Sequence, residues 1–143
     1  MPQTFLVSNR VQFRDTDAAG IMHFSAFITY MEQAEHAFLR SLDMSVMKFR
    51  IDQMEISWPR VSVQCDYVAP LRFEQEFTVS LTIEKLGRKS VRYGFQFSSN
   101  CQNIAKGQIS AACCIIRNDD LSSIPIPDAI RQRLLPFSQD DGA

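Results

Sequence analysis

An α+β domain, with a curved antiparallel sheet wrapped around one long central helix, is the fold class this sequence predicts, on three observations. Residues 24–42 carry a single helical period of apolar positions. Residues 56–116 break into alternating segments separated by turn residues, which implies consecutive antiparallel strands. The chain has 143 residues, 45% of them hydrophobic and 22% charged. It can bury a core without disulfide or metal staples and is most simply one domain over residues 1–143.

The elements follow in order. Residues 4–13 read as a first strand, with Phe5, Val7, Val11 and Phe13 sharing one face. Residues 14–23 form a polar loop. In residues 24–42 the apolar positions 27, 30, 31, 34, 37, 38 and 42 follow the i, i+3, i+4, i+7 spacing of a helix with one buried face. Glu32, Gln33, Glu35, His36 and Arg40 fall mostly on the other side, with Glu32 and His36 as an i, i+4 pair. Residues 43–55 read as a connector with a short helical turn or an edge segment.

Residues 56–68 alternate at Val61, Val63, Cys65 and Tyr67, and Pro59 places a strand start, an edge or a bulge there. Residues 73–86 put Phe73, Phe77, Val79, Leu81 and Ile83 on one face and Glu74, Glu76 and Glu84 on the other. Leu86-Gly87-Arg88-Lys89 is a turn, and residues 90–98 follow as a strand with Val91, Tyr93, Phe95 and Phe97 on one face. A turn at 99–103 leads into a long strand over 104–116. Its small residues Gly107, Ser110, Ala111 and Ala112 suit close packing against a helix. Residues 118–127 form a polar, proline-rich exit, 128–135 a short helix with Asp128 near its start, and 138–143 a frayed end.

Composition excludes several function classes. Lys+Arg number 15 against Asp+Glu 16, so there is no basic excess for general nucleic-acid binding. No basic n-region precedes an apolar core at the N-terminus, and no run of about 18 apolar residues occurs. The expectation is therefore a cytoplasmic protein with no membrane partner. Cys65, Cys101, Cys113 and Cys114 lack C-x-x-C spacing and nearby histidines, so they read as free thiols rather than a metal site.

The chemistry concentrates ahead of the long helix. Asp15 and Asp17, Gly20 and His23 precede the helix start, whose exposed N–H groups can hold developing negative charge. The run F-R-D-T-D-A-A-G-I-M-H-F, followed by a helix, then D-Y-V-A-P-L-R-F-E-Q-E-F-T-V and E-K-L-G-R-K-S-V-R-Y-G-F, resembles the hotdog-fold acyl-CoA thioesterases, in the 4-hydroxybenzoyl-CoA thioesterase-like and YbgC-like branch. The resemblance covers roughly residues 5–135. It implies an acyl-CoA substrate, hydrolysis to a free acid and coenzyme A, and no cofactor beyond the coenzyme A of the substrate. It also implies homodimers joined edge to edge, often paired into homotetramers, with active sites at the dimer interface.

By the same resemblance, Asp17 matches the catalytic carboxylate and Phe24 the position whose backbone N–H polarises the thioester carbonyl. The order G-I-M-H-F places His23 one residue earlier than the histidine of many relatives, so His23 is a candidate for site lining or for a loop role. Asp17 can act as nucleophile or as general base, and the sequence does not separate these. A helix-start N–H on the oxyanion is worth on the order of 3 kcal/mol, and a general base roughly 10²–10⁴-fold. Gly20 serves the turn and Ser25 is the expected N-cap, with a contact to the attacking water as its alternative, and both are candidates for the substrate-binding set. Asp15 is expected to be a loop or ion-pair residue, with Arg14 as its candidate partner, rather than a second catalytic acid. Arg88 and Lys89, with Arg72 and Arg92, are candidates for the phosphates of coenzyme A, and Phe24, Phe27, Tyr30 and Trp58 for an acyl pocket. A non-catalytic acyl-CoA-binding module is the alternative. A hotdog dehydratase would need an aspartate–histidine arrangement that does not occur here.

Overall fold

The computed structural model describes residues 2–139. Two antiparallel sheets and two α-helices make up the fold. Strands β1 (Phe5–Arg10), β4 (Arg60–Tyr67), β5 (Glu76–Leu86), β6 (Ser90–Ser99) and β7 (Gln102–Ala112) form a five-stranded sheet in the order β1-β5-β6-β7-β4. A smaller sheet in the order β2-β3-β8-β9 joins β2 (Phe49–Ile51), β3 (Met54–Ser57), β8 (Cys114–Arg117) and β9 (Asp120–Ser123).

Helix α1 spans Phe24–Ser41 and buries Phe27, Tyr30, Met31, Ala34, Glu35, Phe38 and Leu39. These meet the inner faces of the large sheet, where Val79, Leu81 and Ile83 on β5 and Tyr93, Phe95 and Phe97 on β6 are closed to solvent. At Gly107 on β7 a Cβ would come within 2.4 Å of Met31 Sδ. The small residue expected there is what lets helix and strand approach. The second helix, α2, covers Asp128–Leu134 and seats Ile130 and Leu134 in the same core.

Several boundaries differ from the sequence reading. β1 stops at Arg10, and residues 13–15 form a 3-10 turn that carries Phe13 out of the core. The connector 43–55 contains no helix. It holds the β2–β3 hairpin, turned by Asp52 and Gln53 at φ 49 and 64°, a left-handed pair that suits a two-residue hairpin loop. The strand read over 56–68 is two strands, because Pro59 lacks an N–H and the chain changes sheets there.

The strand read over 104–116 breaks at Cys113, where the chain again changes sheets, and part of the polar exit becomes β9. Cys113 lies at that break and Cys114 opens β8, and both are buried. Phe73 lies outside β5 and is half-exposed. At the C-terminal end, Ser138 forms a parallel bridge with Ile83, and Gln139 N–H donates to Ile83 O at 2.7 Å. Those two residues are held, while 140–143 lie outside the described residues.

β4 is an edge strand. It pairs only with β7, and its Val61 and Val63 are 63% and 50% exposed. The alternation the sequence showed is present and its apolar face turns toward α1, where Cys65 packs on the core and Tyr67 meets Phe27, but at the sheet edge Val61 and Val63 stay exposed.

Candidate active site

The loop ahead of α1 folds as a tight hairpin. Thr16 and Met22 form an antiparallel bridge, Asp17 N–H donates to Ile21 O at 2.9 Å, and Gly20 N–H donates to Asp17 O at 3.0 Å. Gly20 closes the turn at φ 82°, a conformation that favours glycine. A further bond from Met22 N–H to Leu71 O, 2.7 Å, ties the loop to the segment before β5.

Asp17 sits at the head of that hairpin, half-buried. Its Oδ1 accepts from the N–H groups of Ala19 at 2.9 Å and Ile21 at 3.4 Å. No hydrogen bond to its Oδ2 occurs among the described residues. The carboxylate is therefore fixed by one oxygen and keeps the other available.

Helix α1 begins seven residues later. The N-cap is His23, not Ser25: His23 has extended backbone at φ −61°, ψ 141°, and its Nδ1 accepts from Ser25 N–H at 3.2 Å. Ser25 is already inside the helix, so its hydroxyl meets the His23 ring, 2.8 Å from Nδ1, instead of capping. Ala26 N–H donates to His23 O at 2.9 Å. Among the first three helical N–H groups, that of Phe24 has no acceptor among the described residues. The first turn holds no acidic side chain to neutralise its positive end.

Asp17 and Phe24 line one cavity of about 430 Å³. Ile21, Met22 and Phe27 form its floor, and Tyr67, Val68, Ala69 and Pro70, from the end of β4, its far wall. Tyr67 O–H donates to Phe24 O at 2.8 Å, and its ring meets Phe27 edge-on at 5.0 Å. Burial, then its neighbour Cys65, holds the Tyr67 phenol protonated, with its pKa pushed up to about 12. The wall 67–70 was not singled out as site lining in the sequence. Its signal was the D-Y-V-A-P stretch, which reads there as a strand end.

The remaining candidates separate. His23 and Ser25 line a neighbouring hollow of about 430 Å³ with Arg14, Asp15 and Tyr30. Asp15 does not pair with Arg14. Its Oδ2 accepts from Tyr30 O–H and from Gln12 N–H, the latter at 2.9 Å. Burial, then that bond, raises the Tyr30 pKa. Trp58 is buried against Arg60 and does not reach the cavity. Arg88 and Lys89 lie at the β5–β6 turn, while the Asp17 hairpin lies near the start of β5, so roughly 30 Å of strand separates them within one chain.

Glu35 is the main surprise. It is 0% exposed and ion-paired with Arg60, not part of the polar helix face. Burial raises its carboxyl pKa to about 7, against the opposing pull of the Arg60 guanidinium. His36 Nε2 lies 3.2 Å from Arg60 Nη2.

The model of the thioesterase-like superfamily matches residues 11–134. The chain belongs to the thioesterase-like superfamily. As a member of that superfamily it has the hotdog fold of antiparallel sheets and a helix, and homologues of this enzyme are named as thioesterases. An Aquifex aeolicus protein bearing a provisional esterase name is 33% identical over 121 residues, 85% of this chain and 91% of that one. The 1,4-dihydroxy-2-naphthoyl-CoA hydrolase of Synechococcus elongatus is 26% identical over 124 residues, 87% of this chain and 90% of that one. Among solved structures, a gentisyl-coenzyme A thioesterase is 28% identical, with a TM-score of 0.77, over 90% of this chain and 98% of that one. No helix among the described residues of this thioesterase-like chain is long and apolar enough to cross a membrane.

Proposed function

We propose that this chain hydrolyses an acyl-CoA thioester to a free acid and coenzyme A, with Asp17 as nucleophile or general base and the Phe24 N–H as oxyanion donor. One observation carries the reading: a carboxylate with a free oxygen, and the residue whose helix-start N–H has no acceptor among the described residues, line one apolar cavity. The thioester carbonyl oxygen accepts from Phe24 N–H, and the helix dipole stabilises the charge that develops on it. As base, Asp17 takes a proton from water, which attacks the carbonyl carbon. The tetrahedral intermediate then expels the coenzyme A thiolate. As nucleophile, Asp17 attacks the carbon itself, expels the thiolate and forms a mixed anhydride that water opens.

The cavity supports an aromatic acyl group. Phe24, Phe27 and Tyr67 present three rings, and 430 Å³ lies within the ordinary range for a small-molecule site. The relatives named for naphthoyl- and gentisyl-CoA point the same way. Contacts of α1 with β1, β4, β5 and β7 support its reading as the central helix, wrapped by the sheet, of one domain. The open apolar edge of β4 supports a homodimer joined edge to edge, or a homotetramer of such pairs. Arg88 and Lys89 would then serve coenzyme A phosphates only from another protomer. Free thiols at all four cysteines suit a reducing cytoplasm.

The test is turnover of a panel of aryl- and alkyl-CoA thioesters by wild type and Asp17→Asn. The variant keeps an oxygen for the Ala19 N–H and should fold, but lose ~10²-fold or more in kcat. Wild-type turnover by the variant would remove Asp17 from the mechanism. The engagement of Asp17 Oδ1 within its own turn favours a second reading, a module that binds acyl-CoA without turnover. That reading predicts tight calorimetric binding with no thiol release.

A further inference from the structure

His23 occupies a position where serine, threonine, asparagine or aspartate ordinarily caps a helix. An imidazole can take that role in one form only. Nδ1 must offer a lone pair to Ser25 N–H, at 3.2 Å, so the ring proton sits on Nε2. The ring has little freedom to do otherwise. Its own backbone N–H donates to Asp15 O at 2.7 Å, and its face stacks on the Phe24 ring at 4.5 Å, 29° between planes. Ser25 Oγ, 2.8 Å from Nδ1, completes the set.

The consequence falls on the next residue. Capping takes the Ser25 N–H, and the His23 carbonyl takes that of Ala26. The peptide joining His23 to Phe24 is held from both ends, by Asp15 O on one side and Tyr67 O–H on the Phe24 carbonyl. Its N–H is the one donor of the first turn left open.

We propose that His23 is a positioning residue: its imidazole caps α1 from outside the lining of the Asp17 cavity and so presents the Phe24 N–H, alone among the first-turn donors, to the reacting carbonyl. This rests on the reading of Phe24 as oxyanion donor. His23 does not touch the substrate. It lines the hollow of Arg14, Asp15 and Tyr30 and is not among the residues that line the Asp17 cavity.

The experiment compares His23→Ala and His23→Asn on whichever thioester the wild type turns over, with Ile83→Val as a core control of lowered melting temperature. His23→Ala should lower kcat about tenfold or more, with KM within about twofold, short of the ~10²–10³ that losing an oxyanion donor outright costs. His23→Asn, which caps without an imidazole, should stay within about threefold of wild type. Ile83→Val should keep wild-type kcat although it melts earlier. Equal loss in both His23 variants would show that the ring itself meets the substrate, and wild-type kcat in His23→Ala would show that the cap does not set the donor. Either result overturns the proposal. An inactive Asp17→Asn alongside an unaffected His23→Ala would fault this inference alone, whereas a fully active Asp17→Asn would fault the parent reading.

Discussion

Arg60, the first residue of β4, reaches across to Glu35 in the middle of α1 and pairs with a carboxylate closed to solvent. Its second amino group donates to Trp58 O at 3.1 Å. The pair fastens the start of the open edge strand to the helix that carries the site. Glu35 Oε2 and Arg60 Nε are buried without partners among the described residues.

A buried pair of this kind contributes little net stability, but half of it is costly. Arg60→Met should destabilise the fold by about 3–5 kcal/mol, because Glu35 is left buried alone. The double variant Glu35→Leu/Arg60→Met should recover most of that loss. Urea unfolding of the single and double variants measures the coupling, and additive losses would refute it.

The same carboxyl makes stability pH-dependent. Its folded pKa, about 7, exceeds the ordinary 4.5. Below both values each state is protonated and the stabilisation is fully present. As pH rises through this window the unfolded chain releases its proton first and stability falls, by on the order of 3 kcal/mol in total. His36 acts oppositely: burial lowers its pKa, so its contribution is lost as pH falls. Subtracting the pH–stability curve of Glu35→Gln from that of wild type isolates Glu35, and the difference should decline from pH 5 to pH 8.

Gly20 has open space around any added Cβ, so only its φ of 82° resists substitution. Gly20→Ala should cost ~1–2 kcal/mol in melting experiments and lower kcat by shifting the Asp17 turn. Gly20→Asn should be milder, because asparagine tolerates that region.

Tyr67→Phe keeps the ring against Phe27 and removes the bond to Phe24 O. Its stability cost should be about 1 kcal/mol. KM should rise as the far wall of the cavity loosens, which steady-state kinetics on the best thioester will show. An unchanged KM would mean that the wall holds without this bond.

Much of this molecule was legible in the residues alone because the relevant forces are local. The 3.6-residue period of α1 placed its ends within one residue. The hairpin glycine and the two residues that share the cavity, Asp17 and Phe24, sit within eight positions of one another. Glu35 was misread because a carboxylate on a helix looks solvated until a cation is known to face it, and Arg60 lies 25 residues further on. Val61 and Val63 alternate as a core face should and share the face of Cys65 and Tyr67, but they stay exposed because β4 has one neighbour and lies at the sheet edge.

By itself, the sequence determined the helix, the alternation of the strands, the turn that lifts Asp17 and the placement of a carboxylate next to a helix start. Each depends on the dihedral and side-chain preferences of neighbouring residues. Tertiary structure alone decided that Tyr67–Pro70 close the cavity, that His23 caps where Ser25 was expected, that Arg88 and Lys89 stand at the far end of the sheet, and that Glu35 is buried. Those outcomes depend on contacts between segments tens of residues apart, whose meeting is set by sheet order rather than by any local pattern.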